Sequence, residues 1–581
     1  MDYKVITGTL VANTAIHIGT GDSNELTDAL IRRDKDGRPF IPGTAIAGSI
    51  RALLTRLAPR LGKSPCIALN ATEVKQDKPC NCAVCNLFGD INPTDENGST
   101  AEASRLLIFN AYQDETTTCR SIIRDGVGID RATGAAARAS GVKFDMEIIP
   151  AGVAFKLRIE LRDVSDSDEQ LLAAGLSEWE EGRLRLGGRV SRGLGSFVLK
   201  DIQYKIIKLD DAAQLLAFLQ DDMPWKKAQT EEGWLKKQIK DIKLMPTSSS
   251  KTKHSSRGWF LLEGTLQAEG PILTNDTLSS GISGFDHAPV LLQLNDWQNP
   301  VLTGAGLRGV IRSHAEKIAR TLATIHAKDK NDFLNRCPAC DPNVRDFNKN
   351  RKLPLESCDS LLGKYYIQGN DNLYKCEDTV NSLCLSCQLF GSTRLGSRLI
   401  VEDAHYKPLS QSNPTYKMLD FLAIDRFTGG GVDGAKFDAL ALWKPAFDFR
   451  MYLDNPVPWE LGWLWLVIRD MIEGWLTVGF GSAKGFGRVR LINWKVTFGY
   501  LHQSDAPPGL EEMNLQTEKS GIYTTKTIEA DNQDCFNIFQ VWGCSFNKKV
   551  LEFQRPEPLK LTTDNYFDEI KTIYNDKGDA S

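Results

Sequence analysis

The sequence predicts an α+β fold in which two ferredoxin-like modules follow each other along one chain. Two observations predict it: a series of segments recurs, and within each copy strand patterns alternate with helix patterns in the same order. Residues 155–161, "FKLRIEL", alternate as a half-buried strand does, and Thr44 is placed to cap a helix that runs to about Ala58. The 581 residues, 41% hydrophobic and 25% charged, suffice for two or three globular domains.

Seven short segments that recur in one order indicate an internal duplication. The separation between matching residues is 256 for Gly8 and Gly264 but 302 for Cys85 and Cys387, which indicates a large insertion before the second set of cysteines. The matching segments are 8–16 with 264–272, 42–54 with 303–315, 82–89 with 384–391, 105–112 with 398–405, 129–134 with 424–429, 142–145 with 435–438, and 192–197 with 484–489.

The repeat and the composition between its copies predict the domain limits. We expect the two copies to occupy residues 1–204 and 258–499. The stretch 205–257 begins as an amphipathic helix and continues as a flexible polar linker. Residues 500–581 form a polar tail to which the pattern assigns no role.

Charge and hydropathy favour a cytoplasmic protein without a membrane partner. The chain opens on strand-like alternation, not on the pattern of a signal peptide. The most apolar helical stretch, 459–476, carries Glu460, Arg469, Asp470 and Glu473, which is typical of a core helix. The net charge of −4 does not by itself indicate nucleic-acid binding, although a local groove can still be basic.

The thirteen cysteines fall mostly in two clusters, which favours metal binding over disulfides in a reducing compartment. Four thiolates satisfy a tetrahedral zinc ion and leave no open position for catalysis, so both sites are predicted to be structural. In the second copy Cys358 and Cys376 lie between the two CxxC pairs, so the choice of four ligands stays open. The candidate ligands are Cys66, Cys80, Cys82 and Cys85 in the first copy and Cys337, Cys340, Cys384 and Cys387 in the second.

Two glycine-rich stretches, 186–197 and 479–489, combine bare backbone with cations in both copies. Glycine lets main-chain N–H groups approach a phosphate closely, although a single loop of this kind is more often a tight turn. The helices expected after Gly43 and Gly304 also offer anion-binding N-termini, with ordinary helix-start chemistry as the alternative. The polar stretch 119–145 is long enough to suggest a hairpin that lies against a nucleic acid.

Acidic residues recur between the copies and histidines do not. The pairs are Asp28 with Asp286, Asp130 with Asp425, and Asp145 with Asp438. A carboxylate can hold a metal ion or orient an attacking hydroxyl, whereas any one aspartate can also be a turn-former, and the pattern does not choose among the pairs. The absence of a shared histidine argues against a histidine mechanism common to both copies.

The stretches "IPGTAIAGSIR" and "RVSRGLGSF" resemble the RAMP superfamily of CRISPR proteins, and each copy looks like the backbone subunit of type III effector complexes. That family has an RRM-like core, a zinc-binding insertion and a thumb hairpin. Residues 27–44 fit its pattern around a catalytic aspartate, which implies that role for Asp28. Residues 285–306 replace Pro-Gly-Thr with Thr-Gly-Ala but keep Asp286, for which the resemblance implies the same catalytic role. A double subunit in one chain is similar to the fused proteins of the type III-D variants.

The resemblance implies binding of guide RNA (crRNA), cleavage of complementary target RNA with Mg²⁺ or Mn²⁺, one structural Zn²⁺ per module, and assembly with other type III effector subunits. The alternatives are a non-catalytic crRNA-binding scaffold and a metal-independent endoribonuclease that processes CRISPR-repeat RNA. The candidate RNA-binding residues are Gly43, Thr44, Arg51, Arg131, Arg138, Gly188, Arg189, Arg192, Gly193, Gly304, Arg312, Arg426, Lys484, Gly485 and Arg488.

Overall fold

The structure is a computed structural model of the chain. It describes residues 2–25, 27–63, 82–89, 103–117, 120–129, 143–209, 211–226, 228–240, 242–246, 255–276, 280–281, 283–294, 297–340, 357–358, 380, 383–393, 395–408, 413–532 and 535–555.

The first module contains nine strands and five helices among its described residues. The strands are β1 (Asp2–Ala12), β2 (Phe40–Ile41), β3 (Leu106–Ile108), β4 (Ala111–Gln113), β5 (Ile122–Val127), β6 (Lys143–Ile148), β7 (Ala154–Leu161), β8 (Phe197–Lys208) and β9 (Gln229–Glu231). The helices are α1 (Gly43–Leu57), α2 (Ala83–Phe88), α3 (Asp166–Glu180), α4 (Ala212–Gln220) and α5 (Trp234–Lys240).

One sheet forms the centre of this module, in the order β2-β4-β7-β1-β8-β9, with β3 also paired to β7. The central strand β1 is antiparallel to both neighbours, so that Ile6 lies between Ile159 and Tyr204. Helices α1 and α3 pack together with β1 in a single apolar core. At their closest approach, a Cβ atom on Gly175 would lie 2.9 Å from the Leu54 side chain, which explains the glycine in α3.

The two core helices of this module begin in different ways. Ser165 and Asp168 form a capping box at the start of α3. The prediction that Thr44 caps α1 is wrong, because the helix begins at Gly43 after Pro42 and has no side-chain cap. The Gly43 N–H instead donates to Asn110 Oδ1 at 2.9 Å, since the residues after β3 run beside the helix start.

The second module contains twelve strands and five helices among its described residues. The strands are β10 (Gly258–Ala268), β11 (Pro271–Ile272), β12 (Leu291–Leu294), β13 (Trp297–Leu302), β14 (Leu399–Val401), β15 (Ala404–His405), β16 (Tyr416–Ile424), β17 (Gly431–Trp443), β18 (Ala446–Asp454), β19 (Val489–Tyr500), β20 (Thr517–Ser520) and β21 (Tyr523–Glu529). The helices are α6 (Gly304–His326), α7 (Lys330–Arg336), α8 (Leu385–Phe390), α9 (Pro458–Ile472) and α10 (Cys535–Glu552).

The main sheet of the second module repeats the arrangement of the first. Its order is β14-β18-β10-β19-β21-β20, so that β10 corresponds to β1 and β19 to β8. In both modules the chain order of the core elements is strand, helix, strand, strand, helix, strand. This mixed architecture in two units agrees with the predicted fold class.

Each module also carries a hairpin outside its main sheet. The first hairpin is β5–β6, in which Asp125 pairs with Asp145. The second hairpin is β16–β17, in which Asp420 pairs with Asp438 and β11 adds a third strand. The hairpins fall on the polar stretch 119–145 and on its counterpart in the second copy.

The residues after β19 complete the second module. Strands β20 and β21 extend its sheet, and α10 lies along α9. Trp463 stacks on Phe546 at 5.1 Å between ring centroids, and a Cβ atom on Gly462 would lie 1.9 Å from the Trp542 carbonyl oxygen. The stretch that the sequence pattern left without a role therefore supplies core residues as far as Phe553.

The two modules contact each other through buried polar and apolar groups. Trp259 of β10 packs against Tyr523 and lies 5.1 Å below the Arg183 guanidinium of the first module. The Arg124 guanidinium of the first hairpin donates to both carboxylate oxygens of Asp403, at 3.3 and 2.8 Å. In the described ranges no helix combines the length and apolar character that crossing a bilayer requires.

Candidate nucleic-acid interface

The loop after the first strand of each module lies against the hairpin. In the first module the Asp145 N–H donates to Asp28 Oδ2 at 2.9 Å. In the second module the Asp438 N–H donates to Asp286 Oδ2 at 3.0 Å. Two of the three aspartate pairs found in the sequence are therefore brought together, once in each module.

The residue after each loop aspartate also contacts the hairpin, through main-chain atoms. Ala29 bridges Met146 in parallel, and the Glu147 N–H donates to the Ala29 carbonyl at 2.9 Å. His287 bridges Ala439 in the same way, and the Leu440 N–H donates to the His287 carbonyl at 2.9 Å. The same backbone register thus holds both predicted catalytic aspartates on their hairpins.

Asp425, one member of the third aspartate pair, lies at the tip of the second hairpin. Asp425 Oδ1 accepts from the Phe427 and Thr428 N–H groups at 2.9 and 2.8 Å, and these hydrogen bonds hold the pKa of its carboxyl below the ordinary value. Asp425 is therefore a turn-former, and the turn leaves the Phe427 side chain 99% exposed beside Arg426. Its counterpart Asp130, with Arg131 and Arg138, lies outside the described residues.

The cations of the glycine-rich stretches lie over the hairpin residue that precedes each aspartate. Arg189 and Arg192 lie 4.4 and 5.5 Å from the Phe144 ring centroid, and Lys484 lies 4.3 Å from that of Phe437. Burial lowers the pKa of both guanidinium groups. Within the described part of the chain none of the three cations has a carboxylate partner, so their charge is available to an anion.

The glycines of these stretches have different surroundings. A Cβ atom on Gly193 would lie 2.4 Å from the Val401 carbonyl oxygen of the second module, whereas the equivalent Gly485 has nothing within 4 Å. The Gly188 N–H donates to the His17 carbonyl at 2.8 Å. Arg488 is paired with Glu269 at 3.0 Å. Gly485, with open space around it, and Lys484, which has no carboxylate partner among the described residues, are therefore adjacent in the second loop.

The predicted helix-start residues contact protein groups. Cβ atoms on Gly43 and Gly304 would each lie 2.2 Å from a carbonyl oxygen of the neighbouring strand, which explains the glycine at both positions. Arg51 donates to Cys85 Sγ at 3.3 Å, and Arg312 donates to Cys387 Sγ at 3.5 Å. Thr44 is exposed in the first turn of its helix.

Four buried thiols in the second module form a set that can hold a metal ion. They belong to Cys340, Cys358, Cys384 and Cys387, and all four sulfur atoms lie within 4.8 Å of one another. Thiolates at about 2.3 Å from a tetrahedral zinc ion lie about 3.8 Å apart, which is within this limit. Cys337 lies outside the set, and its thiol contacts the Ala339 carbonyl at 3.3 Å. The sequence named Cys358 as an alternative, but CxxC spacing alone favoured Cys337.

Only half of the predicted cysteine set of the first module lies in the described residues. Cys82 and Cys85 flank the start of α2, where the Cys85 N–H donates to Cys82 Sγ at 3.3 Å. Cys384 and Cys387 have the same positions at α8. Cys66 and Cys80 lie outside the described residues.

Sequence reasoning missed several residues of this interface. Phe144 and Phe437 were present in the repeated "KFD" segment but were not singled out as partners of the cations. Asn110 and Asp403 were present in another repeat and accept the N–H groups of Gly43 and Gly304. Each of these residues occupies the same position in both copies of the repeat. That equivalence could have identified the two phenylalanines, and likewise Asn110 and Asp403, from the sequence.

Two archaeal proteins are similar to parts of the chain. "CRISPR system Cms endoribonuclease Csm3" of Methanocaldococcus jannaschii is 28% identical over 212 residues, which cover 34% of this chain and 79% of that protein. The protein of the same name from Methanothermobacter thermautotrophicus is 27% identical over 228 residues, which cover 35% of this chain and 85% of that protein.

The family model of the RAMP superfamily matches residues 9–198 and 265–490. The two matches fall on the two modules and together cover more than half of the chain. The duplication in sequence, the repeated sheet order and the repeated match have one explanation: the chain belongs to the RAMP superfamily and carries two family units in tandem.

Proposed function

We propose that this chain is a crRNA-binding backbone subunit of a cytoplasmic type III CRISPR effector complex and cleaves complementary target RNA at one site per module. Each module is proposed to be an RRM-like unit with a thumb hairpin and a zinc-binding insertion. The two similar archaeal proteins carry the name endoribonuclease. The observation that supports the proposal most directly is that each module holds an exposed loop aspartate on a hairpin, beside a cation that has no carboxylate partner among the described residues.

Binding of the ribose-phosphate backbone is assigned to the glycine-rich stretches. Arg189, Arg192 and Lys484 lie beside the aspartate loops and lack carboxylate partners among the described residues. A subunit that binds RNA of any sequence needs cations and main-chain donors, because phosphate contacts carry no base information. The uncrowded backbone at Gly485 leaves room for a phosphate to approach the main chain closely.

The hairpin tip is assigned to separating bases of the RNA. Phe427 is 99% exposed because the Asp425 turn directs it outward, and Ile424 at the end of β16 is also exposed. An exposed aromatic ring can stack on any base, and this stacking contributes about 1–3 kcal/mol per base. A nucleotide unstacked at the tip would have the backbone freedom that in-line attack requires.

The proposed reaction is attack of a ribose 2′-OH on the adjacent phosphorus, which breaks the bond to the 5′-oxygen and leaves a cyclic phosphate and a 5′-hydroxyl. Asp28 and Asp286 are exposed and would hold Mg²⁺ or Mn²⁺ or orient the attacking hydroxyl. When bound, the metal ion would neutralise the charge that develops on the phosphate. Arg192 and Lys484 would hold the phosphate in place.

Cleavage of end-labelled target RNA by the assembled complex with guide and Mg²⁺ tests this proposal. We expect Asp28→Ala to remove one product band, Asp286→Ala to remove a different one, and the double variant to remove both. Asp433→Ala is the matched control, because it changes an exposed carboxylate in the β16–β17 hairpin that contacts the Asp286 loop. This variant should leave both bands.

Two results would reject the cleavage proposal. If the double variant keeps every band and binds target as wild type does, the chain is a scaffold and another subunit cuts. If the bands persist in excess EDTA and disappear in a histidine variant, the activity is that of a metal-independent endoribonuclease.

A further inference from the structure

The second module fixes its loop aspartate through two reciprocal hydrogen bonds. The Asp438 N–H donates to Asp286 Oδ2 at 3.0 Å, and the Asp286 N–H donates to Asp438 Oδ1 at 2.9 Å. Each aspartate therefore accepts from the main chain of the other. The Asp438 side chain thus contacts the main chain of the residue that carries the exposed Asp286 carboxylate.

The first module has one of these two bonds. The Asp145 N–H donates to Asp28 Oδ2, but Asp145 Oδ1 is buried and accepts no hydrogen bond from the part of the chain that the structure describes. The Asp145 carboxyl instead faces Asp125 across the hairpin. Burial, followed by a hydrogen bond with Asp125, raises the pKa of Asp145, while Lys143 opposes this shift.

A different residue fixes the loop of the first module. Glu147 Oε2 accepts the Ile31 N–H at 3.0 Å, and Glu147 Oε1 accepts from Arg33 and Ser121, each at 2.6 Å. The equivalent residue in the second module is Leu440, which has no side-chain acceptor. The two loops share a backbone register but differ in the side chain that holds them.

We propose that Asp438 is the positioning residue of the Asp286 loop and that Glu147 has this role for the Asp28 loop, so that the Asp145 side chain is dispensable for cleavage. The inference rests on the proposed function, since it assigns positioning roles around the same aspartates. The role of Asp438 is that of a hydrogen-bond acceptor, for which its negative charge is not required.

Single-turnover cleavage of end-labelled target RNA by the assembled complex tests this assignment. We expect Asp438→Ala to slow the second-module cut about tenfold to a hundredfold, because small displacements of a reacting group have effects of this size. Asp438→Asn keeps an acceptor oxygen, so the rate of the second-module cut should stay within about threefold of wild type. A threefold change in rate corresponds to well under 1.4 kcal/mol. Target affinity should not change in either variant.

The first module provides the matched comparison. Glu147→Leu copies the residue of the second module and should slow the first-module cut about tenfold or more. Asp145→Ala, at the position equivalent to Asp438, should leave that cut within about threefold of wild type, since its buried Oδ1 accepts no hydrogen bond from the described loop residues.

Two results would overturn the inference. If Asp438→Asn is as slow as Asp438→Ala, the carboxylate charge itself is needed and Asp438 is not a positioning residue. If Asp145→Ala is as damaging as Asp438→Ala, the two modules do not use different anchors.

Amide hydrogen exchange gives a readout that does not depend on cleavage. Asp438→Ala should speed exchange in the peptide that contains Asp286, and Asp438→Asn should not. If Asp286→Ala leaves all cleavage bands intact, the proposed function fails, yet the exchange result still decides whether Asp438 fixes the loop. Unchanged exchange in Asp438→Ala would reject the positioning role in that case as well.

Discussion

Arg51 and Arg312 explain why Leu-Phe-Gly follows CxxC in both copies. Each guanidinium group contacts the second cysteine sulfur and also donates to the carbonyl of the glycine that ends the cysteine helix, Gly89 or Gly391. The leucine of the motif is buried in both modules. The repeated motif therefore connects the cysteine helix to the first core helix of its module.

Loss of Arg312 should destabilise the second module. Arg312 also pairs with the fully buried Glu316 at 2.9 Å, so Arg312→Ala removes a charge partner inside the core. We expect the free energy of unfolding in urea to fall by about 3 kcal/mol, which is typical when one member of a buried pair is removed. The more exposed Arg320→Ala should cost less than about 1 kcal/mol. Equal effects of the two variants would contradict this role.

The thiol set makes a residue-level prediction about metal content. Purified protein should contain zinc, and Cys358→Ser should lower the amount bound by the second module, because Cys358 is one of four clustered thiols. Cys337→Ser should leave the zinc content unchanged, since this thiol lies outside the set. Zinc measured by plasma mass spectrometry checks both variants, and loss of zinc in Cys337→Ser alone would reject the set.

For single residues, the sequence predicts the type of chemical group at a site more reliably than it predicts which groups that side chain contacts. Equivalence between the copies identified the aspartates that meet at each hairpin. The same equivalence pointed to Arg51 and Arg312 as RNA ligands, whereas the structure shows both bound to cysteine helices. An arginine one to two turns into a helix has the same sequence pattern in either role, and only the neighbouring chain distinguishes them.

The first core helix of each module approaches a neighbouring strand so closely that its first residue must be glycine. The carbonyl of Ile108 or Val401 would lie 2.2 Å from an added Cβ atom. The same close contact in both modules explains why each helix begins with glycine. The repeat predicted the two helices, but a contact with a residue far along the chain could not be inferred from local pattern.

Two alanine substitutions in α6 separate close packing from helix propensity. Gly304→Ala should lower the free energy of unfolding by about 1–3 kcal/mol, because the added methyl group overlaps backbone atoms. Gly309→Ala, in the same helix with nothing within 4 Å, should raise it by about 0.5–1 kcal/mol. Urea unfolding of both variants checks the signs, and a stabilising Gly304→Ala would contradict the packing.

The stabilisation that Glu147 gives to the loop of the first module should decrease at low pH. Burial alone would raise the pKa of Glu147, but hydrogen bonds from Ser121, Ile31 and Arg33 hold it below the ordinary value of 4.5. Its stabilising contribution is therefore complete above pH 4.5 and is lost as the pH falls through the lower folded value. We expect wild type and Glu147→Gln to differ in free energy of unfolding at pH 6 and to converge at lower pH. A constant difference would contradict the shift.

The whole molecule is two modules joined by an interface of apolar groups and buried ion pairs. Arg60 of the first module pairs with Asp505, and Arg185 pairs with Glu402, with all four side chains almost fully buried. The sequence predicted the modules but not this interface, because the charges that meet lie hundreds of positions apart. The role of the segment after β19 was missed for the same reason, since its apolar residues belong to the core only because they pack against α9.

Asp403 tests how strongly the modules are coupled. Asp403→Asn copies Asn110 of the first module and keeps an acceptor for the Gly304 N–H, but it leaves Arg124 without its charge partner. We expect a cost of about 3–5 kcal/mol. Adding Arg124→Met should recover most of it, because the double variant contains no buried unpaired charge. Calorimetry of the four proteins gives the coupling energy, and simple additivity would contradict the contact.

The buried ion pairs between the modules also bear on why such an interface belongs within one chain. For two separate proteins, desolvating three arginine–carboxylate pairs would offset much of their attraction, and association would add a further entropic cost. A covalent connection makes the contact between the two units intramolecular, so that it forms without the entropic cost of bringing two separate proteins together. In a tandem chain the interface therefore needs only to fix the relative orientation of the two units and does not need to supply the affinity that holds them together. The single chain also keeps the two units at a one-to-one ratio however far the protein is diluted.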